Sequence, residues 1–196
     1  MIKHLAASIG AAVVLGLSSA SAAILEFENV APNGSLVNVN PAAPYTEDDF
    51  TITPTTNQSA VFDANAAFVM VGRNSSWLGA DESNSLMLTG GPTGAFDLIS
   101  LIVGPSTIAA SQSINFTIMT TDVNSMVSML TFNNLVSATL LNLNLTNLVS
   151  VKFSASDDFA LDNISLESAV VPAPAALPLF LSALIGGRLL RRRRAG

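Results

Sequence analysis

Between residues 23 and 169, short apolar runs alternate with Thr, Ser and Asn, and Gly or Pro separates them. Several runs repeat with a period of two, which places successive side chains on opposite faces of a strand and predicts half-buried β-strands. Ile24-Leu25-Glu26-Phe27-Glu28-Asn29 should form the first, with Leu25 and Phe27 turned to a core. Asp49-Phe50-Thr51-Ile52-Thr53 alternates likewise and should stop at Pro54, which lacks the N–H that a central strand needs. Leu141-Asn142-Leu143-Asn144-Leu145-Thr146 alternates strictly, giving one apolar face and one of amides and a hydroxyl. A helix would scatter those leucines around its circumference.

The remaining pattern is uneven. Residues 61–71 mix alanines with Phe62, Phe68 and Met70 and read as either strand or helical turn, and 72–84 read as an exposed loop carrying Trp77. Leu86-Met87-Leu88-Thr89 is a short strand stopped by Gly90-Gly91-Pro92. Strand-length segments follow at 96–103, 114–119, 127–132, 139–146, 148–155 and 159–167. About eight or nine strands, with no amphipathic helix, internal repeat or heptad, predict an all-β domain: two antiparallel sheets packed as a jelly-roll-like β-sandwich.

Both ends of the chain depart from this pattern. Residues 1–22 read as a signal peptide: Lys3 and His4, an apolar run over 5–17, and Ala20-Ser21-Ala22 as a small-residue cleavage site, with the cut after Ala22. The alternative, an uncleaved anchor, needs about 20 apolar residues, and the run is shorter. At the far end, 175–190 is apolar apart from Arg188 and is closed by Arg191, Arg192, Arg193 and Arg194. This predicts a C-terminal transmembrane helix over 175–190 whose basic cluster, 191–194, stays on the cytoplasmic side and leaves the body outside. The organisation is therefore a signal peptide (1–22), a β-sandwich domain (23–169) and a tail (170–196).

Charge sharpens that division. Of 8 Lys and Arg residues, only Arg73 and Lys152 lie between the end segments, together with all 14 Asp and Glu, so the body carries −12. Such a surface repels phosphates, which excludes nucleic acid as a partner. The chain has no cysteine, and its one histidine, His4, lies in the signal segment. Disulfides, thiolate or imidazole metal sites and Ser-His-Asp or Cys-His catalysis are thus closed to the body.

The tail runs Val171-Pro172-Ala173-Pro174-Ala175-Ala176-Leu177-Pro178 into the apolar stretch and the arginines. Prolines hold such a segment extended and outside any helix or sheet, as a protease cleft at a membrane surface requires. This order resembles the VPLPA-CTERM class of PEP-CTERM-like sorting domains, with Ala173 where the eponymous motif has Leu and with Arg188 inside the helix. The resemblance implies recognition at Val171, Pro172, Pro174 and Ala175 by a membrane protease-transpeptidase, an exosortase. It also implies anchoring at the inner membrane on the extracytoplasmic side, then release to the cell surface or surroundings. An ordinary anchor behind a proline linker is the alternative.

The body also resembles the β-sandwich bodies of exported PEP-CTERM-type proteins through Leu25-Glu26-Phe27-Glu28, Tyr45 with Phe50, residues 95–101, Val151-Lys152-Phe153 and residues 159–164. This implies a galactose-binding-like or concanavalin-like sandwich. Within Phe159-Ala160-Leu161-Asp162-Asn163-Ile164, a carboxylate in an apolar strand needs a partner. Asp162 with Asp157, Asp158 or Glu26 and Glu28 could hold a calcium ion, the single cofactor that the residues suggest, or Asp162 could cap backbone N–H groups. Trp77, near Arg73, Asn74 and Asp81, is either a stacking platform for a sugar or a residue folded onto the core. The adjacent pairs Asp48/Asp49 and Asp157/Asp158 would serve a carbohydrate-active enzyme only if both carboxylates met one substrate, and strand neighbours face opposite ways. The resulting expectation is a non-enzymatic exported surface or matrix protein, either touching exopolysaccharide or purely structural.

Overall fold

The computed structural model describes residues 22–28, 30–31, 35–56, 59–63, 70–71, 75–81, 85–91, 94–106 and 113–168. Residues 1–21 of the signal segment, the sorting motif at 171–175, the apolar stretch at 175–190 and the arginine cluster lie outside them, as does Arg73.

The described residues contain twelve strands and no helix: β1 Ala22–Leu25, β2 Leu36–Val39, β3 Tyr45–Glu47, β4 Phe50–Pro54, β5 Ser59–Phe62, β6 Trp77–Ala80, β7 Leu86–Gly90, β8 Phe96–Pro105, β9 Ile114–Asp122, β10 Val127–Leu135, β11 Thr139–Ala155 and β12 Phe159–Ser168. Every pairing is antiparallel. The hydrogen-bonded path runs β2-β5-β6-β12-β8-β11-β7-β4-β3, with β1 on β12, β9 on β11 and β10 on β9.

The ladder folds into two layers. Phe50 on β4 and Phe96 on β8 meet edge to face at 5.6 Å, and Phe116 on β9 lies 5.7 Å from Phe159 on β12. Members of each pair are separated by two intervening strands along the hydrogen-bonded path, at roughly 4.8 Å per strand, so contact requires one half of the sheet to lie over the other. One layer is β2-β5-β6-β12-β8 with β1 and the first half of β11. The other is β10-β9 with the second half of β11, then β7-β4-β3. A single apolar cluster fills the space between them, including Leu25, Ile52, Leu98, Ile118, Phe153 and Leu166.

Strand β11 joins the layers. Its 17 residues pair with β8 up to Leu148 and with β9 and β7 beyond it. The alternating run at 141–146 and the segment at 148–155 are thus one strand. Its register shifts around Asn144 and Asn147, at φ 51° and 57°, an αL conformation that asparagine tolerates better than most residues. Asn147 is pinned there, its N–H donated to the Asp97 carboxylate at 2.8 Å and its carbonyl accepting from Val123 N–H at 2.9 Å.

Other elements depart from the sequence reading in informative ways. The expected strand 24–29 runs instead from Ala22 to Leu25 and pairs Ala22 with Glu167 and Leu25 with Ile164, although Leu25 and Phe27 are buried as expected. The segment 72–84, read as an exposed loop, contains β6, whose four residues are all buried. Strands β2 and β3 have only four and three residues, too few to show a period. Asp48 and Asp49, both at positive φ, form the two-residue turn between β3 and β4.

Candidate functional site

The register brings four strand ends together. Ser59 on β5 lies opposite Ala80 on β6, Ala80 opposite Phe159 on β12, and Phe159 opposite Pro105 on β8. The residues adjoining this row, Asp81, Asp158 and Ser106, cluster beyond it, and Ser106 N–H donates to the Asp158 carbonyl at 3.1 Å. On the open side, β2 sets Leu36 opposite Phe62 and Asn38 opposite Ala60. Together these residues line a cleft of about 340 Å³. Its walls are apolar at Leu36, Ala60 and the Phe62 ring. They are polar at Asn38, Ser59, Asp81, Ser106 and Asp158.

The floor depends on Gly79. Trp77 and Phe62 stack at 4.3 Å with their planes 11° apart, on the side of the sheet away from the main core, and with Ala60, Met70 and Ala160 they form a second apolar cluster. A Cβ at Gly79 would stand 2.4 Å from Trp77 Cζ3 and 3.0 Å from Phe62 Cε2, so only glycine lets the two rings lie flat across β6. Trp77 is 1% exposed, and its Nε1 is buried without a hydrogen-bond partner among the described residues. Of its two readings, the burial matches a residue folded inward and not a sugar-stacking platform: Phe62 occupies its face, and it supports the cleft from beneath.

The approach to β6 is fixed by two acids. Glu28 accepts from Ser76 N–H at 3.3 Å and from Ser76 Oγ at 3.0 Å. Asp162, wholly buried, accepts from Ser75 Oγ through one carboxylate oxygen and from Asn163 N–H at 2.7 Å through the other. Asp162 shares the outer face of β12 with Ala160, alternating with Phe159 and Leu161 of the main core, and the register shifts just beyond it, where Asn163 has φ 44° and Ile164 returns to the core. Asp157 instead accepts Asp158 N–H at 2.8 Å in the turn between β11 and β12. Of the two readings of Asp162, its bond from Asn163 N–H matches the capping of backbone groups, and the described residues contain no group of three or more acidic, His or Cys side chains placed to hold a metal. Asp162 is bonded to Ser75 and Asp157 to the turn, so the acids that are close in sequence have separate partners.

Away from the cleft, Tyr45 donates its hydroxyl to Glu47. Burial pushes its phenol well above the ordinary range, with further upward contributions from the Glu47 hydrogen bond and from the charges of Glu47 and Asp48. Lys152, the only cation among the described residues, stands on the outward face of β11 between Met119 and Met87. A row of hydroxyls crosses the same face: Thr121, Ser150, Thr89, Thr51 and Thr46.

The geometry defines an all-β antiparallel sandwich with a mixed polar and apolar cleft at its strand ends. The chain matches no protein-family profile and no curated protein. Among solved structures it is similar to the C-terminal family 22 carbohydrate-binding module of Clostridium thermocellum Xyn10B, at 13% identity and TM-score 0.39 over 77% of this chain and 95% of that one. It is also similar to the CBM51 module from Clostridium perfringens, described in complex with methyl-galactose, at 13% identity and TM-score 0.34 over 78% and 94%. A third likeness is to the CBM22-1 and GH10 modules of Clostridium thermocellum endo-1,4-beta-D-xylanase 10B complexed with xylohexaose, at 10% identity and TM-score 0.39, covering 65% of this chain. The chain spans 27% of the length of that protein. At these identities no residue of those modules can be carried onto this chain.

Proposed function

We propose that this chain is an exported, non-enzymatic surface or matrix protein whose jelly-roll-like body holds a neutral glycan in the strand-end cleft. The observation that carries this reading is the lining of the cleft. A pyranose presents apolar C–H faces and hydroxyl edges, and Leu36, Ala60 and the Phe62 ring offer an apolar wall beside the oxygens of Asn38, Ser59, Asp81, Ser106 and Asp158. Carboxylates accept strongly from hydroxyls and repel uronates and sulfates, which selects uncharged sugars. With neither His nor Cys, the body is closed to imidazole and thiolate catalysis, and only carboxylate chemistry is open to it.

Export and sorting complete the proposal. Residues 1–22 direct export, and Val171, Pro172, Pro174 and Ala175 are read by an exosortase-like enzyme while 175–190 and Arg191 to Arg194 hold the tail at the membrane. Ala23, the first residue after a cut behind Ala22, pairs with Leu166 near the end of β12, so the mature body would begin beside the point from which the tail leaves.

The test is retention of the chain on an array of neutral glycans, with Asp81→Ala and Asp158→Ala beside it. Losing a hydrogen bond from a charged acceptor costs about 1.5–3 kcal/mol, roughly a tenfold or greater loss of affinity. Each variant should lose retention by that factor while melting as the parent does. Failure of the parent to bind any glycan would leave a purely structural matrix role, and binding by both variants equal to the parent's would overturn the cleft as the site. Intact-mass measurement of the exported protein should place its ends near Ala23 and within 171–175, and a mass that keeps the four arginines would overturn cleavage of the tail.

A further inference from the structure

We infer that strand β10 is a self-association edge, through which two copies of this chain join their sheets antiparallel. Among the described residues, strand β10 is the last strand of its layer and pairs with β9 alone. In an antiparallel ladder every second residue turns its N–H and C=O away from the partner, so β10 presents a row of backbone groups to the outside. Natural edges of this kind are usually shortened, charged or interrupted by proline. Strand β10 has nine residues, Val-Ser-Met-Leu-Thr-Phe-Asn-Asn-Leu, with neither charge nor proline.

The side chains on both faces support a partner. Val127 and Met129, on the outward face, are 61% and 69% exposed. On the inward face Leu130 and Phe132 lie opposite Ile118 and Phe116, at the rim of the main core, yet Leu130 is still 38% exposed. The core therefore runs out to an open edge, and a further strand carrying apolar inward residues would close it.

A second copy of β10 is that strand. A two-fold axis perpendicular to the sheet through Met129, Leu130 or Thr131 pairs residues an even number of positions apart. Inward residues then meet inward residues, and Leu130 and Phe132 of each copy cover the rim of the other. Charge directs the contact to this edge. Lys152 is the only charged residue between Asp122 and Asp157, whereas the rest of the body is strongly acidic, so two bodies repel except along β10 and its neighbourhood. The register shift after Phe132 confines regular pairing to residues 127–132. An isologous contact uses the edge completely and closes as a dimer.

The chain has no cysteine, so any disulfide reports an introduced one. In the full purified chain, Met129→Cys, Leu130→Cys and Thr131→Cys, made singly, should include one that is captured as a covalent dimer under mild oxidation. Val37→Cys, exposed on the β2 edge, should not be captured. The cysteine-free parent should sediment as a dimer that tightens with added salt, because screening relieves the repulsion between acidic bodies. Met129→Lys should sediment as a monomer that still melts cooperatively, at the temperature the parent shows when diluted until it dissociates. A parent that is monomeric at every concentration, a Met129→Lys variant that remains dimeric, or cross-linking at Val37 equal to that at β10 would each overturn the inference.

Discussion

Replacing Gly79 by alanine tests whether the Trp77–Phe62 stack supports the cleft. The added Cβ would lie 2.4 Å from Trp77 Cζ3 and 3.0 Å from Phe62 Cε2, about 1 Å inside ordinary carbon contact for the closer atom. Neither ring is a flexible chain end, and both are buried, so the stack must part or β6 must shift. Overpacking of this kind costs about 1–3 kcal/mol, with part of the ring-pair interaction, about 0.5–1.5 kcal/mol, lost as well. Trp77 is the chain's only tryptophan, so its fluorescence reports this position alone. Urea unfolding followed by that emission and by far-ultraviolet circular dichroism should show a midpoint lower by about 1 M, given a slope of about 1–3 kcal/mol/M. The folded emission should also change. Trp77→Phe removes the clashing ring atom, so alanine at position 79 should cost less in that background, a coupling of about 1 kcal/mol or more. An unchanged midpoint and emission in Gly79→Ala, or strict additivity in the double variant, would refute this account of the floor.

Two further effects follow from the hairpin between β3 and β4. Asp48 and Asp49 stand at φ 48° and 67° in a two-residue turn that glycine fits more easily, so Asp49→Gly should raise stability by about 0.5–1 kcal/mol in a urea melt. Tyr45 holds its proton in the folded state above the pH at which an unfolded phenol loses it. Stability should therefore be full below about pH 10 and fall by about 1.4 kcal/mol per pH unit above it, a slope that Tyr45→Phe should abolish. Tyr45 is the only tyrosine, so phenolate absorbance should rise in step with unfolding and not before it.

The strands with one wet face were legible in the sequence, because burial on one side imposes the two-residue period. In the run at 141–146, Leu141 is buried and Asn142 exposed, as its alternation requires. Strand β6 was hidden for the opposite reason: Trp77-Leu78-Gly79-Ala80 is covered on both faces, so no polar residue marks every second position. The division of β11 into two strands followed from its asparagines, which normally suggest turns but here make bulges within one continuous ladder. Asp162 was conspicuous as a carboxylate in an apolar strand, yet its partner Ser75 lies 87 positions away, and no local spacing could indicate a serine rather than a metal. The cleft was illegible for the same reason, since Asn38, Ser59, Asp81, Ser106 and Asp158 converge only through the register of five strands.

The seating of β12 among β1, β6 and β8 has a mechanical side. Strand β12 begins at Phe159 beside the cleft and ends at Ser168, nine residues later, where the chain continues toward the tail. At about 3.3 Å per residue these points are some 30 Å apart along one strand. A body tethered beyond Ser168 and loaded at the cleft would thus be pulled along β12 itself. Its hydrogen bonds to β1, β6 and β8 run across the strand, so such a pull would load them together in shear and would not peel them one at a time. Under such a tether, β12 would be the spine that carries force from the cleft to the end of the body.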